Sequence, residues 1–239
     1  MDIKLICIDM DGTLLNPDDI VSDENKAAIK SAVDKGVHVA ITTGRLYNCA
    51  KLYAESINLQ TPIIASNGAF IGGTNGQEIY KNTLTLADLK DFINTMEKYN
   101  LYWYCSTNYG LLSIHPFPET NIYYKLNQTL PPDQQIQLEV LNSPQEIFEQ
   151  HGEHILKAVC VDKTNHDKLM QAKEELKAAN PHLEIVSSWG DNFEVMKKGS
   201  SKGEAVKALT QYFNLTPDNV MCIGDSENDL SMLKFASLG

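Results

Sequence analysis

Two pairs of carboxylates stand at positions of this sequence where acidic side chains can do chemistry. Asp9 and Asp11 come directly after the apolar run of residues 5–8, and Asp225 and Asp229 follow a second apolar run, residues 219–223. Residues two apart at a strand end can point the same way, so both acids of the first pair can face one site. We therefore consider all four acids as candidate ligands of a cation.

Simpler interpretations of these acids exist. A turn rich in Asp and Gly accounts for the first pair, because Gly12 permits a tight turn. A calcium-binding loop is excluded, because such a loop requires Gly at its sixth position. Counting from Asp9 gives Leu14 there, and counting from Asp225 gives Leu230.

Helix capping is the alternative for the second pair, since Ser226-x-x-Asp229 has the spacing of a capping box. Four acids at two strand ends would repel one another unless a cation joined them. Carboxylate oxygens are hard ligands that suit Mg²⁺. The sequence thus predicts a magnesium site, with capping left open beside it.

Other polar groups follow strand signals or begin helices. Lys202 begins a predicted helix, where backbone amides attract anions, although an exposed surface lysine is the common alternative. Two short motifs end further strands, and either could be an ordinary strand-to-helix turn: Thr43-Gly44-Arg45 and Ser66-Asn67-Gly68. Together they would place a hydroxyl, free amides and a guanidinium at one sheet edge.

The elements that must position these groups alternate between strand and helix. Apolar runs indicate strands over residues 5–8, 37–42 and 62–65, and helical periodicity covers about 23–35 and 47–56. This rhythm is typical of βαβ units, so we predict an α/β fold with a doubly wound parallel sheet, Rossmann-like in its winding. The carboxyl ends of the strands form the ligand crevice in such sheets.

The middle of the chain departs from that rhythm. A Gly-rich turn at 72–76 predicts a hairpin, and from about residue 83 the pattern is helix, aromatic strands, Pro-rich loop, then helices and strands. The aromatic run 99–104 fits a half-buried strand better than a ligand cage. We predict an inserted α/β domain over 83–190 and a discontinuous first domain made of 1–82 and 191–239.

Composition excludes several classes of protein. The chain has 239 residues and a net charge of −11, and an acidic surface argues against a nucleic-acid groove. No apolar run approaches the ~18 residues of a membrane span, and the N-terminus has no secretory signal pattern. The five cysteines include no C-x-x-C pair, which fits a reducing cytoplasm and no disulfide framework.

Taken in order, these motifs resemble those of the haloacid dehalogenase-like phosphatases. The resemblance covers nearly the whole chain and is closest to the Cof-type branch, whose large α/β cap lies between the second and third motifs. The segments that carry it are Asp9-Met10-Asp11-Gly12-Thr13-Leu14, Thr43-Gly44-Arg45, Ser66-Asn67-Gly68, Lys202-Gly203 and Gly224-Asp225-Ser226-Glu227-Asn228-Asp229.

The resemblance implies a mechanism for this chain. Asp9 would attack phosphorus and form an aspartyl phosphate, and Asp11 would protonate the leaving oxygen and later activate water. The implied ligands of Mg²⁺ are the Asp9 carboxylate, the Asp11 backbone carbonyl and Asp225, with Asp229 as support behind them. The groups implied to bind the phosphoryl oxygens are the Met10 amide, Thr43, Gly44, Lys202 and Asn228.

The predicted activity is hydrolysis of phosphomonoesters of small metabolites. Candidate substrates are sugar phosphates, nucleotide monophosphates, flavin precursors and pyridoxal phosphate, with Arg45, Asn67 and the inserted domain's aromatics as hypothetical substrate contacts. A phosphomutase of the same fold and a non-catalytic binding protein on this scaffold are the alternatives. The intact set of Asp9, Asp11, Lys202 and Asp225 argues against the second of these.

One departure from the family concerns the last residues. Relatives continue beyond the equivalent of residues 236–239 into a further strand, a Gly-Asn-Ala turn and a final helix, and this sequence stops at Gly239. The catalytic motifs all precede that point, so the expected chemistry is unchanged. An uncovered strand edge would be expected to lower stability.

Overall fold

The computed structural model describes residues 2–187 and 190–239. Met1, Ser188 and Trp189, which the predicted domain ranges include, lie outside the described residues. The chain divides into two compact units: the first comprises Met1–Lys81 and Ser200–Gly239, and the second comprises Asn82–Gly199.

The first unit is built on a six-stranded sheet with strand order β12-β1-β2-β3-β4-β5. Its strands are β1 (Leu5–Asp9), β2 (His38–Thr42), β3 (Ile63–Ala65), β4 (Phe70–Gly72), β5 (Glu78–Lys81) and β12 (Val220–Ile223). Its helices are α1 (Asp23–Asp34), α2 (Tyr47–Ser56), α7 (Lys202–Tyr212) and α8 (Leu230–Phe235).

Both faces of this sheet are covered, because alternate residues of β1 pack against different helices. Leu5 and Cys7 belong to the buried cluster that includes Leu209 of α7 and Met232 of α8. Ile6 and Ile8 lie on the other face, where they line an apolar groove together with residues of α1. Helices on both faces are what the doubly wound prediction requires, so the predicted fold class is confirmed.

The sheet is mixed rather than fully parallel. Strands β12, β1, β2 and β3 are parallel, with Cys7 opposite both Cys222 and Ala40. The predicted hairpin forms β4 and β5, which continue the same sheet with β4 antiparallel to β3. The four parallel strands therefore share one carboxyl edge, where the candidate residues follow β1, β2, β3 and β12.

The second unit has a separate six-stranded sheet with strand order β10-β11-β9-β6-β7-β8, in which β7 and β8 pair in parallel and the other described pairs are antiparallel. Its strands are β6 (Tyr102–Ser106), β7 (Gly110–Ser113), β8 (Gln137–Val140), β9 (Lys157–Val161), β10 (Leu183–Val186) and β11 (Asn192–Lys197). Its helices are α3 (Leu86–Lys98), α4 (Ile122–Asn127), α5 (Pro144–His151) and α6 (His166–Ala179).

An extended apolar cluster forms the core of the second unit. Trp103 of β6, Phe92 of α3 and Phe193 of β11 are among its fully buried side chains. Trp103 lies in the run 99–104, and the second half of that run, residues 102–104, begins β6, so the structure matches the strand interpretation for those residues.

The end of the second unit differs from the prediction, which assigned residues 191–239 to the first domain. Strand β11 pairs with β9 and β10, so its residues belong to the second unit, which ends at Gly199. The alternation of Phe193 and Val195 indicates a strand, but it carries no information about which sheet that strand joins.

Serine caps begin several helices as their sequence signals predict. Ser143 accepts a hydrogen bond from the amide of Glu146, and Ser201 accepts one from the amide of Glu204, each at 3.2 Å. Ser143-x-x-Glu146 has the spacing of a capping box, but its reciprocal half does not form, because the Glu146 carboxylate instead accepts from Asn142. Among the described residues no helix is both long and apolar enough to cross a bilayer.

Candidate active site

The turn after β1 brings the first and last acidic motifs together. Gly12 has a φ of +82°, and a Cβ added there would lie 2.6 Å from Oδ2 of Asp225. Thr13 donates its hydroxyl hydrogen to Oδ1 of Asp225 at 3.0 Å. The glycine is thus required twice, for its backbone conformation and for the close approach of a carboxylate.

A buried lysine joins two of the predicted acids. The Lys202 side chain is about 1% exposed, and its Nζ donates to Oδ1 of Asp9 at 2.5 Å and to Oδ1 of Asp229 at 2.6 Å. Lys202 is therefore not an exposed surface lysine. The α7 helix begins at Lys202, so the helix start fixes where this cation enters the site.

Asp229 has both of its carboxylate oxygens engaged. While Oδ1 accepts from Lys202, Oδ2 accepts from the backbone amides of Asp225 at 3.1 Å and Ser226 at 3.0 Å. The capping interpretation of this segment is therefore confirmed, and the capping acid also contacts the buried lysine. The two amides fix the position of the Asp229 carboxylate, and this carboxylate in turn orients the Lys202 ammonium.

Burial controls the charge of Asp9. Burial raises the pKa of this carboxyl to about 6, against opposing attraction from Lys202, and the nearby Asp229 raises it further. A hydrogen bond from the Met10 amide favours the ionised form. One carboxyl oxygen from each of Asp9, Asp225 and Asp229 lies within 4.8 Å of the other two.

This donor set fits a hard divalent cation. Three carboxylates lie close together and one lysine contacts two of them, so the ionised cluster carries excess negative charge that a cation would offset. Oxygen-only ligands of this kind suit Mg²⁺. The side chain of Asp11 is not a member of the cluster, and the predicted role of its backbone carbonyl as a ligand stays a prediction.

Asp11 is held by Arg45. The Arg45 Nε lies 3.1 Å from each carboxylate oxygen of Asp11, and a second contact forms through its NH2 group. Arg45 also donates to Asp19 at 3.1 Å and to the hydroxyl of Tyr53 at 3.0 Å. Although burial opposes the charge of the guanidinium, the hydrogen bonds that Arg45 donates to Asp11, and the attraction between the two charges, raise the pKa of Arg45.

The Arg45 network adds two residues that sequence reasoning missed. Asp19 lies in a loop at a φ of +58°, and Tyr53 lies in α2 with its ring centroid 5.1 Å from the guanidinium carbon. Neither position carries a local motif, so nothing in the sequence marks them. The guanidinium predicted to contact substrate is instead engaged by the predicted general acid, and the substrate contact remains a prediction.

The second and third motifs form adjoining loops at the same edge. Thr43 is fully buried, and its hydroxyl accepts from the Arg45 amide at 3.1 Å. The amide of Asn67 donates to the carbonyl of Thr43 at 3.1 Å. The Asn67 side chain lies against Gly44, and its Oδ1 accepts from Nδ2 of Asn228 at 3.2 Å.

The predicted residues thus come together in three groups at one sheet edge. Asp9, Lys202 and Asp229 form a buried ionic group with the exposed Asp225 beside it; Asp11 pairs with Arg45; and Gly44, Asn67 and Asn228 lie next to one another. A buried carboxylate beside a fixed ammonium suits nucleophilic attack on an electrophile with charged oxygens. In-line transfer of a phosphoryl group is one reaction that this combination of nucleophile and positive charge can support.

Comparison with known proteins agrees with that chemistry. A family model described as haloacid dehalogenase-like hydrolase matches residues 6–239. A 5-amino-6-(5-phospho-D-ribitylamino)uracil phosphatase of Bacillus subtilis is 34% identical over 239 residues, which cover 100% of this chain and 83% of that protein. A pyridoxal phosphate phosphatase of Escherichia coli is 25% identical, and the match covers 100% of this chain and 87% of that protein.

A solved structure supports the same assignment. A haloacid dehalogenase-like hydrolase from B. subtilis superposes with a TM-score of 0.82 at 28% identity, covering 98% of this chain and 87% of that one. The predicted resemblance is confirmed by these matches. The chain belongs to the haloacid dehalogenase-like hydrolase family.

Proposed function

We propose that this protein is a Mg²⁺-dependent phosphatase that hydrolyses phosphomonoesters of small metabolites. The observation that carries the proposal is the buried contact of Lys202 with both Asp9 and Asp229, beside Asp225. Burying three charged side chains is costly, and it is justified when the site stabilises charge that develops in a reaction. Relatives named as phosphatases support this interpretation.

In the proposed first step, an oxygen of Asp9 attacks phosphorus and the bond from phosphorus to the ester oxygen breaks. Asp11 gives a proton to that leaving oxygen, so the alcohol departs neutral. Lys202, the Met10 amide, Thr43, Gly44 and Asn228 hold the phosphoryl oxygens and neutralise their charge. The product of this step is an aspartyl phosphate on Asp9.

In the second step, water attacks the phosphorus of the aspartyl phosphate while Asp11 accepts its proton. The bond between phosphorus and Asp9 breaks, inorganic phosphate leaves, and Asp11 is again ready to act as an acid. Asp9, the Asp11 backbone carbonyl and Asp225 would hold Mg²⁺, with Asp229 behind them. When bound, the ion supplies positive charge to offset the carboxylates and the phosphoryl oxygens.

The substrate class is a small, polar phosphate ester. One relative is named for a phosphorylated ribitylaminouracil and another for pyridoxal phosphate, and both names describe a single phosphate ester on a compact metabolite. We propose the flavin precursor as the first compound to test, followed by pyridoxal phosphate and sugar phosphates. The buried free thiols fit a protein of the reducing cytoplasm. The net negative charge of the chain argues against nucleic acid as its substrate.

The test is release of inorganic phosphate from a panel of phosphorylated metabolites. We expect turnover with Mg²⁺, loss of turnover in excess chelator and recovery when Mg²⁺ is returned, with Ca²⁺ a poor substitute because its looser coordination would misplace Asp9. Full activity in chelator would overturn the metal assignment. Formation of an isomeric phosphate without phosphate release would identify a mutase instead.

A further inference from the structure

The turn between β3 and β4 has an unusual backbone. Ser66, Asn67 and Gly68 follow one another with φ values of +51°, +55° and +93°. A positive φ is uncommon for residues other than glycine, and strain of this kind persists only where the surroundings impose it. Asn67 is 4% exposed, so packing of the protein around this turn can supply that constraint.

Backbone hydrogen bonds tie this turn to the loop after β2. The amide of Ser66 donates to the carbonyl of Arg45 at 3.0 Å, and the amide of Asn67 donates to the carbonyl of Thr43 at 3.1 Å. The turn and the Thr43-Gly44-Arg45 loop are therefore one rigid assembly. A displacement of either would move the other.

The Asn67 side chain lies between two groups that we assign to phosphoryl binding. A Cβ added to Gly44 would be only 2.8 Å from Oδ1 of Asn67, so the amide occupies the space that a larger residue there would need. The same Oδ1 accepts a hydrogen bond from Nδ2 of Asn228. Since Nδ2 carries two hydrogens, this bond uses one and orients the other.

Gly68 connects the turn to the start of α7. A Cβ added at Gly68 would lie 2.2 Å from the carbonyl oxygen of Ser201, the residue immediately before Lys202. The backbone of the turn therefore packs directly on the helix start that places Lys202. One three-residue turn adjoins Gly44, Asn228 and the origin of Lys202.

We propose that Asn67 is a positioning residue, which acts on the phosphoryl group through Asn228 and Gly44 rather than by touching the substrate. This replaces the hypothesis that Asn67 contacts the substrate. The inference rests on the proposed function. It predicts that loss of the Asn67 side chain weakens turnover of every phosphate ester alike, because the groups it orients contact the part that all esters share.

The experiment compares Asn67→Gly with Asn228→Ala and the double variant. Glycine is chosen because it accepts the positive φ, so only the side chain is lost. Asn214→Gly is the matched control, since Asn214 also has a positive φ of +56° and is exposed outside the site. Activity is measured with a nitrophenyl phosphate and with pyridoxal phosphate, and binding of orthovanadate with Mg²⁺ is measured by thermal shift.

We expect Asn67→Gly to lower kcat/KM by about 10- to 100-fold, as misplacement of a binding group does, and by the same factor for both esters. Orthovanadate binding should weaken in parallel, and Asn67→Gly should cost less in the Asn228→Ala background than it does alone, because the contact through Asn228 is already lost there. A loss that differs about tenfold between esters would identify a substrate contact. Multiplicative losses in the double variant, or no loss in Asn67→Gly, would also overturn the inference.

Failure of the proposed phosphatase function can be distinguished from failure of the positioning role of Asn67. A wild-type protein that releases no phosphate from any ester would contradict the phosphatase assignment. The orthovanadate measurement would still show whether Asn67 and Asn228 act as one unit. Unchanged orthovanadate affinity in Asn67→Gly would then reject the positioning role on its own.

Discussion

Each of the two units contains a six-stranded sheet, but the polar side chains of the two units make different kinds of contact. In the first unit, Lys202 reaches Asp9, 193 residues away in sequence, and Asp229. In the second unit, Thr85 and Asp88 cap α3 reciprocally and Asn165 accepts from the amide of Lys168, while the Asp88 carboxylate also bonds His182, 94 residues away. What distinguishes the first unit is that it gathers charged groups from three distant segments around one buried lysine.

Strand direction explains much of this difference. Parallel strands β12, β1, β2 and β3 all end at one edge, so the loops after them meet there. The mostly antiparallel second sheet sends neighbouring strand ends to opposite edges. Its prominent buried ion pair, Lys157 with Glu194 at 3.0 Å, instead joins side chains of the neighbouring strands β9 and β11.

The largest expected effect tests the two acids of the first motif against each other. Asp9→Asn removes the proposed nucleophile, so turnover should fall by about 10⁴-fold or more with no phosphoenzyme. Asp11→Asn removes only the proposed proton shuttle, which should cost about 10²–10⁴-fold. With a nitrophenyl ester, whose leaving group hardly needs a proton, Asp11→Asn should still phosphorylate Asp9 and then hydrolyse slowly.

Mass spectrometry of a stopped reaction checks this expectation. A species about 80 Da heavier should appear in Asp11→Asn and not in Asp9→Asn, since one HPO₃ unit is added. Melting curves of both variants serve as the folding control. Phosphate found on a residue other than Asp9 would show that Asp9 is not the nucleophile.

The next effect is on stability and concerns the second unit. Lys157→Met leaves the 8%-exposed Glu194 without its cationic partner, and such a change typically costs about 3–5 kcal/mol. Lys177→Met on the exposed face of α6 is the control and should change stability by less than about 0.5 kcal/mol. Chemical denaturation measures both.

The opposite result would change the interpretation of the Lys157–Glu194 ion pair. If Lys157→Met left stability unchanged but altered the ranking of substrates, this ion pair would belong to function rather than to structure. The second unit would then contain a long-range polar group of the kind found in the first.

The smallest effect follows from the raised pKa of Asp9. Its folded value of about 6 lies above the ordinary 3.8, so the folded state holds the proton more tightly. Without divalent cation, the contribution of this group to stability should therefore be highest below pH 4 and decline by roughly 1–3 kcal/mol as pH rises through 6. Asp9→Asn should lose that part of the pH dependence, as measured by denaturation in chelator, whereas Asp34→Asn on α1 should keep it.

Local sequence patterns were enough to predict the positions of the strands and the acids that follow them. An apolar run that ends in Asp, as at Asp9, is a local signal, and strand ends of a parallel sheet meet by geometry. The burial of Lys202 could not be predicted, because a lysine at a helix start is ordinarily exposed. The partners of Arg45 and the sheet joined by β11 also depend on contacts between distant segments.

The discontinuity of the first unit has a consequence for the order in which the protein takes shape during synthesis. Residues 82–199 form a contiguous unit that can leave the ribosome whole, while β1 still lacks the neighbouring strand β12. Asp9 and Asp11 are made early, yet Lys202 and Asp225 arrive only after that unit has been synthesised. The nascent chain therefore carries the proposed nucleophile, Asp9, through most of translation before Lys202 and Asp225 have been made, and any ability to transfer phosphate can arise only near the end of synthesis.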